Sequence, residues 1–254
     1  MNGTLAVAGN TFRETIRDRI LLVVVLFALG MIVAGVWLAS ISLGQQGRLM
    51  EDFGLVAVSG FGVIVGVFVA AGLVHKEVDK RTVFVLFSKP LGRGQFIAGK
   101  FAGLAGTMSL VLAGMAAFLF LVAWLVSGAA SGWLLVAGVL IYLQVLVVMA
   151  VTIMFSTFTS PILAAVLGIC VFVAGQLSHN VLSLTRLGHS AVLDGLSWLV
   201  YLLVPNFSAV NLSAVVVGEQ RPDWAAIAGW GGYLVAYLIL MLAVATLVFR
   251  RKEF

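Results

Sequence analysis

The chain has 254 residues, of which 62% are hydrophobic and 10% charged, and Lys and Arg outnumber Asp and Glu by fifteen to ten. A mean hydropathy of +1.17 lies far from a soluble domain, in which about a quarter of residues are charged, and excludes a chain that folds around a core in water. At roughly 20 residues per crossing the length admits about six spans and leaves no room for a sizeable soluble domain, so residues 1–254 read as one all-α, polytopic transmembrane domain. The single cysteine, Cys170, can form neither an intramolecular disulfide nor a thiolate metal cluster.

Residues 5–19 place Leu5, Ala8, Phe12 and Ile16 at helical spacing, with Arg13, Arg17 and Asp18 elsewhere around the turn. This pattern predicts an N-terminal helix lying in the membrane interface, either a topological anchor or a helix against which a cytoplasmic partner docks. Apolar spans follow at 20–43, 53–74, 101–126, 133–155, 162–178 and 224–249, and none contains Asp, Glu, Lys or Arg. The first of them, at 24 residues, exceeds the roughly 7–15 residues of a signal-peptide core and is expected to be retained.

Orientation follows from the basic residues, because Lys and Arg accumulate in short cytoplasmic loops. With the N-terminus inside, twelve of them fall on the cytoplasmic side and only Arg48, Arg186 and Arg221 outside, giving net charges of +7 and −2. Trp37, Trp124, Trp133 and Trp224 all fall at the outer span ends, where an amphipathic ring is favoured. A pI of about 9.7 therefore reflects topology and contact with anionic lipid, with no nucleic-acid partner implied. Both termini are expected in the cytoplasm, with a bacterial inner membrane as the expected compartment.

Residues 196–217 are apolar but interrupted by Pro205 and Asn206. A seventh crossing would carry Arg250, Arg251 and Lys252 outside, so parity favours a broken re-entrant hairpin on the outer side before the last span. Non-helical backbone at that depth must be buried in protein or face water; the alternative is an interfacial outer loop packed on the bundle.

The loop over 75–100 carries six of the fifteen basic residues between two apolar runs. Gly94, Gly99 and Lys100 spell the frame of a phosphate-binding loop, but Phe101 stands where the magnesium-binding Ser or Thr is required. The frame also leads into a span and not into a soluble α/β helix, so Lys100 is expected to snorkel at a helix entrance. Otherwise the loop reads as a charged strip over 75–81, a short apolar helix over 83–87, a stop at Ser88 to Pro90 and a second basic turn at Arg93. Phe84, Phe87 and Phe96 beside mixed charge fit a protein partner better than a solvated loop.

Glu77, Lys80, Arg81 and Thr82, followed by Leu86, Ser88, Pro90, Arg93, Phe96, Gly99 and Lys100, resemble the signature of ATP-binding cassette permeases of the type-2 export class, with Arg81 where many members carry Gly. The resemblance is close over this loop and extends to the rest through the six-span plan. It is most similar to NosY-like permeases. It implies a cytoplasmic coupling helix between spans two and three that touches a separate ATPase subunit, with Glu77, Lys80, Arg81, Thr82, Phe84, Phe87, Ser88, Pro90, Arg93 and Lys100 in the coupling loop and Phe12, Arg13, Ile16 and Arg17 on the interfacial helix. The implied partners are two copies of an ABC ATPase, a second permease that is identical or paralogous, and an extracytoplasmic accessory protein as a further candidate. ATP and magnesium belong to the ATPase, with no cofactor on this chain.

The spans hold no carboxylate or histidine of the kind a proton- or sodium-coupled carrier retains despite an insertion cost of about 2.5–3.5 kcal/mol. No carboxylate pair, nucleophile with a base, or metal spacing suggests an enzyme. His179 and His189 are ten residues apart in an outer loop, and the methionines of the spans read as packing residues. Gln144 and Gln176 either line a path or hydrogen-bond across helices, and the glycine steps at Gly62 to Gly66 and Gly99 to Gly103 allow close helix approach. The sequence thus predicts an ABC permease, with a non-transport membrane scaffold, or a secondary carrier, as alternatives.

Overall fold

The computed structural model of the chain describes residues 3–17, 20–41, 46–79, 93–127, 131–185, 204–208 and 223–251. The described residues form seven helices and no strand: α1 (Gly3–Arg17), α2 (Ile20–Ile41), α3 (Gln46–Asp79), α4 (Arg93–Ser127), α5 (Trp133–Ser156), α6 (Pro161–Thr185) and α7 (Trp224–Arg251). Helices α3 to α7 each contain a stretch long and apolar enough to cross a membrane, at Gly47–Gly72, Gly94–Val126, Trp133–Ser156, Pro161–Ser178 and Trp224–Val248. These five correspond to the second to sixth expected spans. Helix α2, at 22 residues, covers most of the first.

Helix α3 starts at Gln46, seven residues ahead of the expected span, and two further boundaries differ from expectation. Residues 93–100, read as a basic turn and a helix entrance, are the first two turns of α4, so this helix runs 35 residues, about 52 Å at 1.5 Å per residue. Its glycines do not interrupt it because neighbours pack against them. At the other boundary, α6 continues two turns past residue 178 to Thr185. It starts at Pro161, whose missing N–H costs nothing at a first helical position, behind Ser160, whose Oγ accepts from Leu163 N at 3.4 Å.

Helix α5 is the centre of the bundle and packs on α3, α4, α6 and α7. Val145, Val147, Val148, Met149, Ala150 and Ile153 are all fully buried, as a helix apolar on every side requires. Lipid tails are as apolar as leucine, so nothing like a hydrophobic force drives span against span, and small residues must admit the partner's side chains. Val145 and Met149 press on Gly62 and Gly66 of α3, where an added Cβ would meet them at 3.1–3.3 Å. Leu112 and Leu119 of α4 fill the notches at Gly62 and Gly54, and Thr152 of α5 fills one at Gly168 of α6.

The contacts also fix direction. Glu51, Ser59 and Ala71 along α3 meet Ser131, Gln144 and Ser156 in the same order, so α3 and α5 run parallel. The Trp133 and Trp224 rings lie 4.8 Å apart, which starts α5 and α7 at the same end. Helix α2 runs against α3, with Phe27 5.8 Å from Phe61 and Gly35 beside Met50. All four expected tryptophans therefore gather at one end of the bundle. The end of α3, the start of α4 and the end of α7 gather at the other.

Helix α1 packs along the first turns of α4, in the same direction. A Cβ on Gly99 would stand 2.8 Å from the Thr4 carbonyl oxygen, and one on Gly103 only 2.5 Å from that of Ala8. Thr11 and Thr15 are buried in this seam, and each hydroxyl donates to its own helix, at Val7 O (3.0 Å) and Thr11 O (2.7 Å). The apolar stripe seen in the sequence is not the packed face: Leu5 is 66% exposed, while Phe12 and Ile16 are half-buried. Threonines face the protein, and the stripe lies to one side.

Because the atoms facing Gly103 are α1 backbone and cannot yield, Gly103→Val is expected to lower stability by about 1–3 kcal/mol. Gly232, which has open space around it, is expected to accept alanine without loss, as measured by thermal unfolding in detergent.

Candidate functional site

The candidate coupling segment begins on α3, which stays helical from the end of its apolar stretch at Gly72 to Asp79. Glu77 lies on the last turn of this extension. Lys80, Arg81, Thr82, Phe84, Phe87, Ser88 and Pro90 lie outside the described residues, and so does the expected helix over 83–87. The chain is described again at Arg93, the first residue of α4. The segment between is therefore tethered at both ends to helices that continue through the whole bundle.

The start of α4 is held from two directions. On one side α1 closes over Gly99 and Gly103, with the Phe12 ring against Gly106. On the other, Gly94 lies against Thr246 of α7, whose Cγ2 would stand 3.2 Å from an added Cβ. Lys100 sits within this three-helix seam at 6% exposure, its Nζ 5.3 Å from the centre of the Phe96 ring, a cation–π distance. The expected snorkelling is replaced by burial. Arg13 of α1 is exposed, and Arg17 is its last residue.

Of the two candidate path-lining residues, Gln144 is 4% exposed and its Nε2 donates to Ser59 Oγ of α3 at 3.3 Å. Gln176 lies half-buried on α6. The other interior hydroxyls also have acceptors: Ser156 donates to Ala71 O at 3.1 Å, Thr157 to Met154 O at 2.6 Å and Thr159 to Phe155 O at 2.8 Å. Cys170 is exposed on α6, His179 lies near the end of α6, and His189 falls outside the described residues.

Three features carry function-related geometry that composition did not reveal. Glu51, buried at 6%, accepts from Ser131 N at 3.1 Å and so satisfies an N–H just ahead of α5. Asp223 Oδ1 accepts from Ala225 N at 3.0 Å and caps α7. Residues 204–208 of the expected hairpin, of which 204–207 are non-helical, are inserted between α6 and α7, with Phe207 1% exposed. The flanks, 196–203 and 209–217, lie outside the described residues. Only the Asp223 cap had a local signal, since Asp one residue ahead of an apolar run is a helix start.

A family model described as "ABC-2 family transporter protein" matches residues 5–254, almost the whole chain. No curated protein matches it.

The Gln144–Ser59 bond joins the two most intimately packed helices, so Gln144→Leu and Ser59→Ala are each expected to destabilise the chain by about 0.6–2 kcal/mol. The double variant should lose less than the sum. Strict additivity in a thermal double-mutant cycle, within about 0.3–0.5 kcal/mol, would mean that this bond contributes nothing.

Proposed function

The chain belongs to the ABC-2 transporter family, as a multi-pass permease subunit that works with an ABC ATPase, and from this we propose that it is a NosY-like half-transporter coupling ATP hydrolysis on a separate subunit to export or extracytoplasmic delivery. Two permeases, identical or paralogous, pair with two ATPase copies that hold ATP and magnesium. Helix α2 is the first of six spans, both termini face the cytoplasm of a bacterium, and the four tryptophans mark the outer end. The twelve-to-three split of basic residues supports this orientation, and α1, which runs beside the first turns of α4, then belongs to the cytoplasmic half of the bundle.

The observation that carries this reading is the way α4 begins. Residues 80–92 connect two helices of about 50 Å, and the first turns of α4 are clasped by α1 and by the end of α7. A force applied by closing ATPases on the coupling helix over 83–87 would not be absorbed at a flexible joint. It would tilt α3 and α4 together and carry α1 and α7 with them, opening the permease–permease interface alternately. Glu77, Lys80, Arg81 and Arg93 provide charges for docking, and Phe84 and Phe87 apolar contact. An extracytoplasmic accessory protein has the opposite end available.

Glu77→Ala and Arg81→Ala are each expected to lower transport-coupled ATP hydrolysis of the assembled complex by roughly five- to tenfold, the loss of about 1–1.4 kcal/mol of docking contact, with expression unchanged. Normal hydrolysis in both variants removes the coupling role of this loop.

A further inference from the structure

Helices α6 and α7 both lean on α5 yet do not pack extensively on one another over the described residues. Residues 204–208 fill the space between them. The backbone is non-helical over 204–207, and it meets α6 at Gly175, about 21 Å along that helix from Pro161, and α7 at Tyr233, about 14 Å from Trp224. At such depth every backbone group needs a partner within the protein. Phe207 N donates to Gly175 O at 3.2 Å, and Asn206 N donates to Tyr233 Oη at 3.1 Å.

The socket exists because residue 175 is glycine. A Cβ there would lie 2.5 Å from both the Pro205 carbonyl oxygen and the Phe207 ring. Beside it Asn206 Oδ1 accepts from Ser208 Oγ at 2.7 Å and from Ser178 Oγ at 3.0 Å. Ser178 Oγ also lies 2.8 Å from Gly175 O, and a serine has one hydroxyl hydrogen. That hydrogen has two acceptors, one in the inserted segment and one in its own helix.

We propose that residues 204–208 are a releasable latch joining α6 to α7, docked through Ser178, Asn206 and the Gly175 socket, and undocked during the transport cycle. Two properties make it releasable. When the segment withdraws, the Ser178 hydroxyl turns to Gly175 O, which Phe207 N has left, and Asn206 keeps Ser208, so the donors that lose their partners, Phe207 N and Asn206 N, leave the helix seam with the segment and no side chain in the seam is left with the costly unmade bond. Withdrawal also separates α6 from α7 without disturbing their packing on α5. The link to the transport cycle rests on the transporter reading; the docking and release do not.

The test uses the assembled complex with Cys170→Ala, Ser178→Cys and Ser208→Cys, because the two hydroxyl oxygens lie 3.5 Å apart. Oxidation in nucleotide-free membranes is expected to join the two positions in most molecules and to cut ATP hydrolysis at least fivefold, with recovery on reduction. Vanadate trapping beforehand should lower the cross-link yield severalfold. Absence of a cross-link overturns the docked geometry, and an efficient cross-link that leaves hydrolysis and its vanadate dependence untouched overturns release.

If the Cys170→Ala complex hydrolyses no ATP, the transporter reading fails by itself. The latch is then judged by maleimide labelling of Cys170→Ala, Ser178→Cys. Adding Asn206→Ala or Gly175→Ala should raise the labelling rate by roughly five- to tenfold, and equal rates overturn the latch.

Discussion

The structure depends on the fit of Val145 and Met149 of α5 against the Gly62 and Gly66 face of α3. Between apolar helices in lipid, exchanging a lipid contact for a leucine contact gains little, and stability comes from close van der Waals approach and interhelical hydrogen bonds. A glycine face supplies the approach by leaving a notch that a branched side chain fills. The same device recurs where α4 meets α3 and where α6 meets α5. Residues 144–153 of α5 can thus be buried on all sides while the neighbouring helices keep an apolar face for lipid.

Hydroxyls and amides supply the second component. Gln144 with Ser59, and Ser156 with the Ala71 carbonyl, tie α5 to α3, and Tyr142 donates to Ala105 O of α4 at 3.1 Å. Threonines on α1 bond their own helix, and Thr11 lies with its Cβ against Gly103 of α4. Each polar group has an internal acceptor, as a medium without water demands. The break at 204–208 obeys the same rule through Gly175 and Tyr233.

The two ends of the bundle differ in construction. One gathers tryptophans, the Glu51 contact ahead of α5 and the Asp223 cap of α7. At the other, α3 and α4 leave the apolar region as continuous helices, and α4 is braced by α1 and α7. A long helix clasped near its end acts as a lever: its tilt is shared with whatever clasps it. This mechanical continuity is what the proposed coupling to an ATPase would use.

Much of this was legible in residue order. The lack of charge in long apolar runs located the helices, because ionised groups are expelled from lipid, and the loop around Glu77 and Arg81 carried the family resemblance that the match over residues 5–254 bears out. The glycine steps at Gly62 to Gly66 and Gly99 to Gly103 could be seen as sites of close approach. Their partners could not, because a notch is local while the side chain that fills it comes from any other helix. For the same reason Leu5, Ala8, Phe12 and Ile16 were readable as a stripe, but not that Thr11 and Thr15 would be the buried face. Lys100 looked like a residue bound for the membrane surface, but in the fold it is buried. Asn206 was visible only as a helix breaker, and its bond to Ser178 spans 28 residues. Composition and periodicity, set by the solvent that each segment must enter, determined the class and the helices, and the loop motif carried the family resemblance. Helix partners, buried faces and the contacts of each polar atom were decided by tertiary structure, because they depend on which surfaces meet.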